Sequence, residues 1–220
     1  TYYLVDGEGW INASDLSTTD NRIEAVQKVL NEKYNNQERI SVYVKQLDTD
    51  RVAAINDEKS MYAASVAKLG VLYYAQERLS QKKLSLSDEY QYTSAVNGFP
   101  GAYDPDGSGK ISKMPDDKNY SLENLLKAVA QNSDNVATNI LGYYVANQYD
   151  KAFQKSVDKA AATSWNMDKK ELTARAAGTL MEAVYRQNGD IINYLSSTDY
   201  DGERISKNID VPVAHKIGDA

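Results

Sequence analysis

At 220 residues, with 42% of them hydrophobic, the chain is long enough to bury a substantial core and short enough to form one domain or a domain with an appendage. Its net charge of -6 and pI near 4.9 argue against a nucleic-acid footprint of clustered Lys and Arg, because the basic residues are spread along the chain with no run longer than two. No apolar run approaches the roughly 20 residues that span a bilayer, nothing at Thr1 reads as a signal peptide, and the absence of Cys rules out disulfides, thiolate metal sites and a Cys nucleophile.

The opening "YYLVDGEGWINASDL" holds two short aromatic and β-branched runs around a Gly-containing turn. The stretch resembles the last strands of SH3-like or GW-type wall-binding modules of Gram-positive surface proteins, and a plain N-terminal hairpin fits it as well. Residues 1–16 are therefore set apart as such a tail or hairpin, and 17–220 as one domain. In "TTDNRIEAVQKVLNEKY", Thr19 or Asp20 is placed to cap a helix carrying Ile23, Val26, Val29 and Leu30 at helical period. "ISVYVKQL" alternates as a strand, "DTD" turns the chain, and "RVAAIN" returns as the hairpin partner. "MYAASVAKLGVLYYAQERL", residues 61–79, reads as one buried helix, and "NGFPGAYDPDGSGK" as a loop rich in Gly and Pro. A mostly helical stretch runs from Ser121 to about Leu195, with Leu122, Leu125, Leu126 and Val129 in one apolar stripe and Leu180, Met181 and Val184 in another. The final "VPVAHKIG" looks like a strand again, so an α+β fold is expected whose antiparallel sheet joins the two ends of the chain. "DPDGSGKI" sets Asp104, Asp106, Ser108 and Gly109 at the offsets of a calcium loop, but Pro115 stands where a bidentate Glu is needed, so no metal is expected there.

Three short motifs carry the chemistry. S-x-x-K occurs at Ser80 to Lys83 and Ser156 to Lys159 in polar contexts, and at Ser65 to Lys68 within an apolar run. There Lys68 would lose solvation, which lowers its pKa and lets the neutral amine act as a base toward a hydroxyl; the competing reading is that Lys68 snorkels to the surface along its aliphatic stem. "QNSDNVATN" sets Ser133, Asp134 and Asn135 between two helix-like segments, where a tight junction would present side chains to a cleft, although S-D-N alone also reads as a helix N-cap. "AHKIG" places Lys216 and Gly218 on the final predicted strand.

In this order and context the three resemble the penicillin-recognising serine enzymes, class A β-lactamases most of all, whose motifs are S-x-x-K, S-D-N and K-[TS]-G. The element order from about Asp20 onward is similar to the family's, and "LTARAAGTLMEAV" resembles its helix after the active-site loop. The resemblance implies a β-lactamase/transpeptidase-like fold, a cell-surface location in a Gram-positive bacterium and no cofactor. It implies that Ser65 is the acylated nucleophile, Lys68 its general base or a relay to it, and Ser133 the proton shuttle to the leaving nitrogen. Asn135 would bind the substrate's amide side chain and contact Lys68, Lys216 would attract its carboxylate, and the backbone N–H groups of Ser65 and Asp219 would form the oxyanion hole. His215, the only His, is expected to play a structural role, since strand neighbours face opposite sides and no G-x-S-x-G elbow accompanies it.

The sequence also departs from the family. Ile217 replaces the hydroxyl residue of K-[TS]-G, and the E-x-x-L-N glutamate that activates the deacylating water is absent. Between Asn135 and Thr173 the carboxylates are Asp150, Asp158, Asp168 and Glu171; Asp168 or Glu171 could substitute, though Glu171 is better placed as a cap or first-turn charge of the helix after it. The chain stops at Ala220, where the family continues with two strands and a helix, so the sheet is expected to be completed by further polypeptide, either the same chain beyond a break or a second fragment. Two functions follow: a serine acyl-transfer hydrolase acting on β-lactams or peptidoglycan-stem amides with slow deacylation, or a non-catalytic surface module that binds cell-wall polymer through the cleft or the N-terminal segment.

Overall fold

The computed structural model describes residues 2–5, 9–15 and 20–219, and its backbone falls into two units, Thr1–Asp57 and Glu58–Ala220. In the first, β1 (Tyr2–Val5) pairs antiparallel with β2 (Gly9–Asn12), Tyr3 opposite Ile11. Helix α1 (Arg22–Tyr34) starts after Asn21 with no side-chain cap. Thr19 lies outside the described residues, and Asp20, one residue before the cap position, accepts from the Arg22 N–H at 3.1 Å, from the Arg22 guanidinium at 2.7 Å and from Gln46 Nε2 at 2.5 Å. Ile23 and Leu30, seven residues apart, bury themselves with Ala53, whereas Val29 lies about 100° round the helix from Leu30 and is exposed. The expected hairpin forms as β3 (Val42–Gln46) and β4 (Arg51–Ile55), in the register Val44 to Ala53.

The second unit opens differently from the helix expected over 61–79. Met61–Tyr62 is a short strand, β5, Ala64–Lys68 is a 3-10 helix, and only then does α2 (Leu69–Ser80) begin. The cause is long-range. β5 pairs with residues 171–172, the Ala63 N–H donates to Lys170 O at 2.7 Å, and Ala64 sits at φ 45°, a left-handed conformation through which an α-helix cannot propagate.

Strands β6 (Glu89–Gln91) and β7 (Asn119–Ser121) pair to close the Gly- and Pro-rich loop between them. Helices α3 (Leu122–Asn132), α4 (Asn135–Tyr144) and α5 (Lys151–Ala161) follow, then β8 (Glu171–Leu172), α6 (Ala174–Gln187) and α7 (Asp190–Leu195). Each of α3 to α7 touches α2, which is therefore buried almost all round. The α3 stripe of Leu122, Leu125, Leu126 and Val129 is fully buried, each side chain contributing roughly 1.5–3 kcal/mol of apolar transfer. In α6, Leu180 and Val184 are buried and Met181 packs at the core's edge.

Two expectations are corrected here. Glu171 does not cap α6: it pairs opposite Tyr62 in β8, and Thr173 Oγ1 takes the cap, accepting from the Ala176 N–H at 3.0 Å. Among the described residues 209–219 carry no strand, since the His215 N–H donates to Leu195 O at the end of α7 (3.0 Å), a helix terminus that offers no ladder to extend. Among the described residues the strands form four separate antiparallel pairs, which together with the helices make an α+β fold. No described helix is long and apolar enough to cross a membrane.

Trp165 locks the turn that carries Lys68. It is fully buried, donates from Nε1 to Ala67 O at 3.1 Å, and leaves only 2.7 Å between that nitrogen and a Cβ placed on Gly70. Gly70→Ala should gain about 1 kcal/mol of helix propensity but lose about 1–3 kcal/mol to overpacking against the indole. A net fall in urea midpoint is expected; a rise would show that the indole can move.

Candidate active site

Ser65 lies in the first turn of the 3-10 helix, half-buried, and its N–H has no acceptor within that helix. Three residues on, Lys68 is fully buried, so it does not snorkel. Its Nζ donates to Ser133 O at 2.6 Å and to Asn135 Oδ1 at 2.5 Å, and stands 3.4 Å from Ser133 Oγ. Burial, and then the nearby Lys216 cation, lower its basicity; against the opposing pull of Asp134 they bring its pKa down to about 6.

Both acceptors come from the junction of α3 and α4. Ser133 ends α3 in the left-handed conformation at φ 55°, which turns its carbonyl and hydroxyl toward Lys68. Asp134 is the N-cap of α4, so the capping reading of S-D-N holds for the middle residue while its neighbours face the cleft. Its buried carboxylate accepts from the Ala137 N–H at 2.8 Å and from the Lys110 and Ile111 N–H groups at 2.6 and 2.9 Å, which ties the Gly-rich loop to the junction. Asn135 Nδ2 adds a donor to Asp104 O at 2.8 Å. The loop that imitates a calcium site is thus the wall of the cleft.

Lys216 reaches the same junction from the C-terminal segment, donating from Nζ to Ser133 Oγ at 2.7 Å and to Ile217 O at 2.9 Å. Burial lowers its pKa to about 7. Beyond it the backbone crosses Ser65: a Cβ on Gly218 would lie 2.6 Å from Ala63 O and 3.2 Å from Ser65 N, a separation that requires glycine. Asp219 lines a pocket with Ser65 while its carboxylate pairs with Arg204 at 3.0 Å. His215 faces the other way, its Nε2 2.8 Å from Asp201 Oδ1 and 3.1 Å from Thr198 Oγ1. Ser65, Lys68, Ser133, Asn135, Lys216 and Asp219 therefore converge, and His215 does not join them.

Two further residues had no motif to reveal them. Tyr103 is buried and donates from its hydroxyl to Ala64 O at 3.2 Å, bracing the turn before Ser65. Lys68 Nζ lies 4.5 Å from the Tyr103 ring centroid and Lys170 Nζ 4.4 Å from it. Burial draws the Lys170 ammonium below its ordinary pKa. Tyr62, Ser65, Tyr103, Asn135, Lys170 and Asp219 all line one open pocket of about 260 Å³. Neither Asp168 nor Glu171 lines it, and both are exposed.

The fold is that of serine β-lactamases and penicillin-binding proteins. It is similar to a β-lactamase from Chitinophaga pinensis (18% identity, 89% of this chain and 78% of that one, TM-score 0.67). A β-lactamase from Sphaerobacter thermophilus matches at 16% identity over 86% of this chain and 74% of that one, TM-score 0.64. PBP-A matches at 14% identity over 80% and 70%, TM-score 0.65, and a mutant of it is solved as an acyl-enzyme complex with penicillin G. No curated protein matches the chain by sequence. A family model described as the beta-lactamase enzyme family matches residues 21–220, and the chain belongs to that family.

The lowered Lys68 pKa has a sign that stability can check. Between its folded value of about 6 and its ordinary value of 10.5 the unfolded chain binds the extra proton, so the Lys68 contribution to stability falls as pH falls through that window. The unfolding free energy of Lys68→Met minus that of wild type should therefore rise from about pH 9 to about pH 6, by at most about 1.4 kcal/mol per pH unit. A difference independent of pH in urea titrations would contradict the lowered value.

Proposed function

We propose that the protein is a serine acyl-transfer hydrolase that opens β-lactams or peptidoglycan-stem amides through an acyl-Ser65 intermediate, and that it acylates much faster than it deacylates. The observation that carries this is the Lys68 amino group, buried between Ser133 O and Asn135 Oδ1 one turn from Ser65. As a neutral amine it spends its two N–H donors on those oxygens and keeps its lone pair for a hydroxyl proton. Lys68 takes the Ser65 proton as Oγ bonds to the substrate carbonyl carbon. The carbonyl π pair moves to oxygen, where the Ser65 and Asp219 N–H groups receive it. When the C–N bond breaks, the leaving nitrogen takes its proton from the Ser133 hydroxyl, which Lys68 replenishes across 3.4 Å. The Lys216 cation draws the substrate carboxylate; Ile217 adds no hydroxyl to help it.

On this reading deacylation is slow because the carboxylates that line the Ser65 pocket are engaged, Asp219 with Arg204 and Asp104 with the Asp106 N–H. The residue of the 162–171 segment that lines the Ser65 pocket is Lys170, a cation that cannot activate water as a carboxylate would. The binding reading draws on a different feature, the exposed Tyr2, Tyr3, Leu4 and Trp10 of the β1–β2 hairpin, which suit a wall polymer.

A fluorescent penicillin should label the wild-type protein and leave Ser65→Ala unlabelled; equal labelling of both would sink the assignment, and wall-polymer retention by an unlabelled protein would favour the binding reading. With a chromogenic cephalosporin, a burst of about one product per enzyme should precede a slow steady state, since a missing general base costs about 10² to 10⁴ in rate. Sustained turnover well above about one per second would refute slow deacylation.

A further inference from the structure

Lys170 is held at the pocket mouth by the backbone. It sits at φ 54°, its carbonyl accepts the Ala63 N–H, and its Nζ reaches Gly101 O at 3.2 Å and Asp168 O at 3.5 Å above the Tyr103 ring. None of these partners is a carboxylate. Two carboxylates share the pocket wall: Asp219 is paired with Arg204, and Asp104 Oδ1 accepts the Asp106 N–H at 2.9 Å. Lys216 lies outside this pocket's lining, bonded to Ser133 Oγ. The two outer cations therefore flank Ser65 on different walls, Lys216 by the proton shuttle to the leaving group and Lys170 by Asn135 and Tyr103, where the acyl portion would lie.

We propose that Lys170 is a specificity residue for the carboxylate of an acyl donor that bears one near the scissile carbonyl, so that the preferred substrates carry an anionic group on each side of the bond that breaks. This rests on the acyl-Ser65 reading above. An ammonium whose hydrogen bonds go to carbonyls alone, with the exposed Asp168 carboxylate acting on it only through space, gains a charge-assisted hydrogen bond from such a group, and the strained Lys170 backbone restricts where it can point. The pocket's volume of about 260 Å³ suits one amino-acid-sized acyl side chain.

Benzylpenicillin and carbenicillin form a matched pair, the second adding one carboxylate to the acyl side chain. Second-order acylation rate constants for both, followed by intact-protein mass spectrometry, give a ratio in which general effects on Ser65 cancel. Wild type should favour carbenicillin by roughly tenfold, the size of one partly exposed charge-assisted hydrogen bond. Lys170→Met should bring the ratio to about one and Lys170→Arg should largely keep it. A merely structural role would slow both compounds together and leave the ratio unchanged, which would overturn the proposal, as would a wild-type ratio of about one. If neither compound acylates wild type, the acyl-Ser65 reading itself fails and takes this inference with it.

Discussion

Removing the Lys68 amino group from water is the constraint around which the second unit is organised. Moving an ammonium into the interior costs several kcal/mol even after relaxation, and the group escapes part of that cost by titrating near neutrality. Its remaining N–H donors must still be satisfied, and the two oxygens that do so, Ser133 O and Asn135 Oδ1, stand on either side of a single residue. That geometry needs α3 to end and α4 to begin within two residues. Ser133 adopts a left-handed backbone to allow it, a conformation worth of order 1–3 kcal/mol of strain in a non-glycine residue. Asp134 offsets the strain with three N–H bonds, two of them from the Gly-rich loop.

On the proposed reading the same residues serve folding and chemistry, so the fold itself preorganises the site. Ser133 is the end of a helix and, on the proposed reading, a proton carrier between two amines. Tyr103 packs beneath Lys68 and Lys170 while its hydroxyl supports the Ala64 carbonyl. The charge around Ser65 is arranged unevenly: its pocket carries Lys170, and Lys216 approaches from behind Ser133. On the proposed reading these cations meet an anionic substrate and the oxyanion of acylation, while the pocket's two carboxylates are engaged, Asp219 with Arg204 and Asp104 with the Asp106 N–H.

Much of this was legible from the sequence because it depends on local rules. The α3 stripe, the β3–β4 hairpin and the contrast between an apolar S-x-x-K and two polar ones follow from side-chain period and composition, and they hold in the structure. The choice of Ser65 and Lys68 over the other two pairs needed only the observation that their neighbours are apolar. Ser133, Asn135 and Lys216 were reachable through the order of the motifs, since no single motif distinguishes a cleft residue from a cap or a surface lysine.

What the tertiary structure alone decided lies where segments about 100 residues apart compete with local preference. Residues 61–68 have a helical pattern, but 61–62 pair with 171–172, the Ala63 N–H donates to Lys170 O and Ala64 turns left-handed, so the helix begins at Leu69. Glu171 reads as a cap until the same pairing draws it into a strand. The C-terminal "VPVAHKIG" has strand composition, yet a strand exists only beside a partner, and the Leu195 carbonyl takes the His215 N–H instead. Tyr103 and Lys170 carry no motif at all: an aromatic in a loop and one lysine among many become neighbours of Ser65 only when β5 and β8 meet. Period and composition determine which faces of this chain are buried; which side chains share a pocket is set by contacts that neither can encode locally.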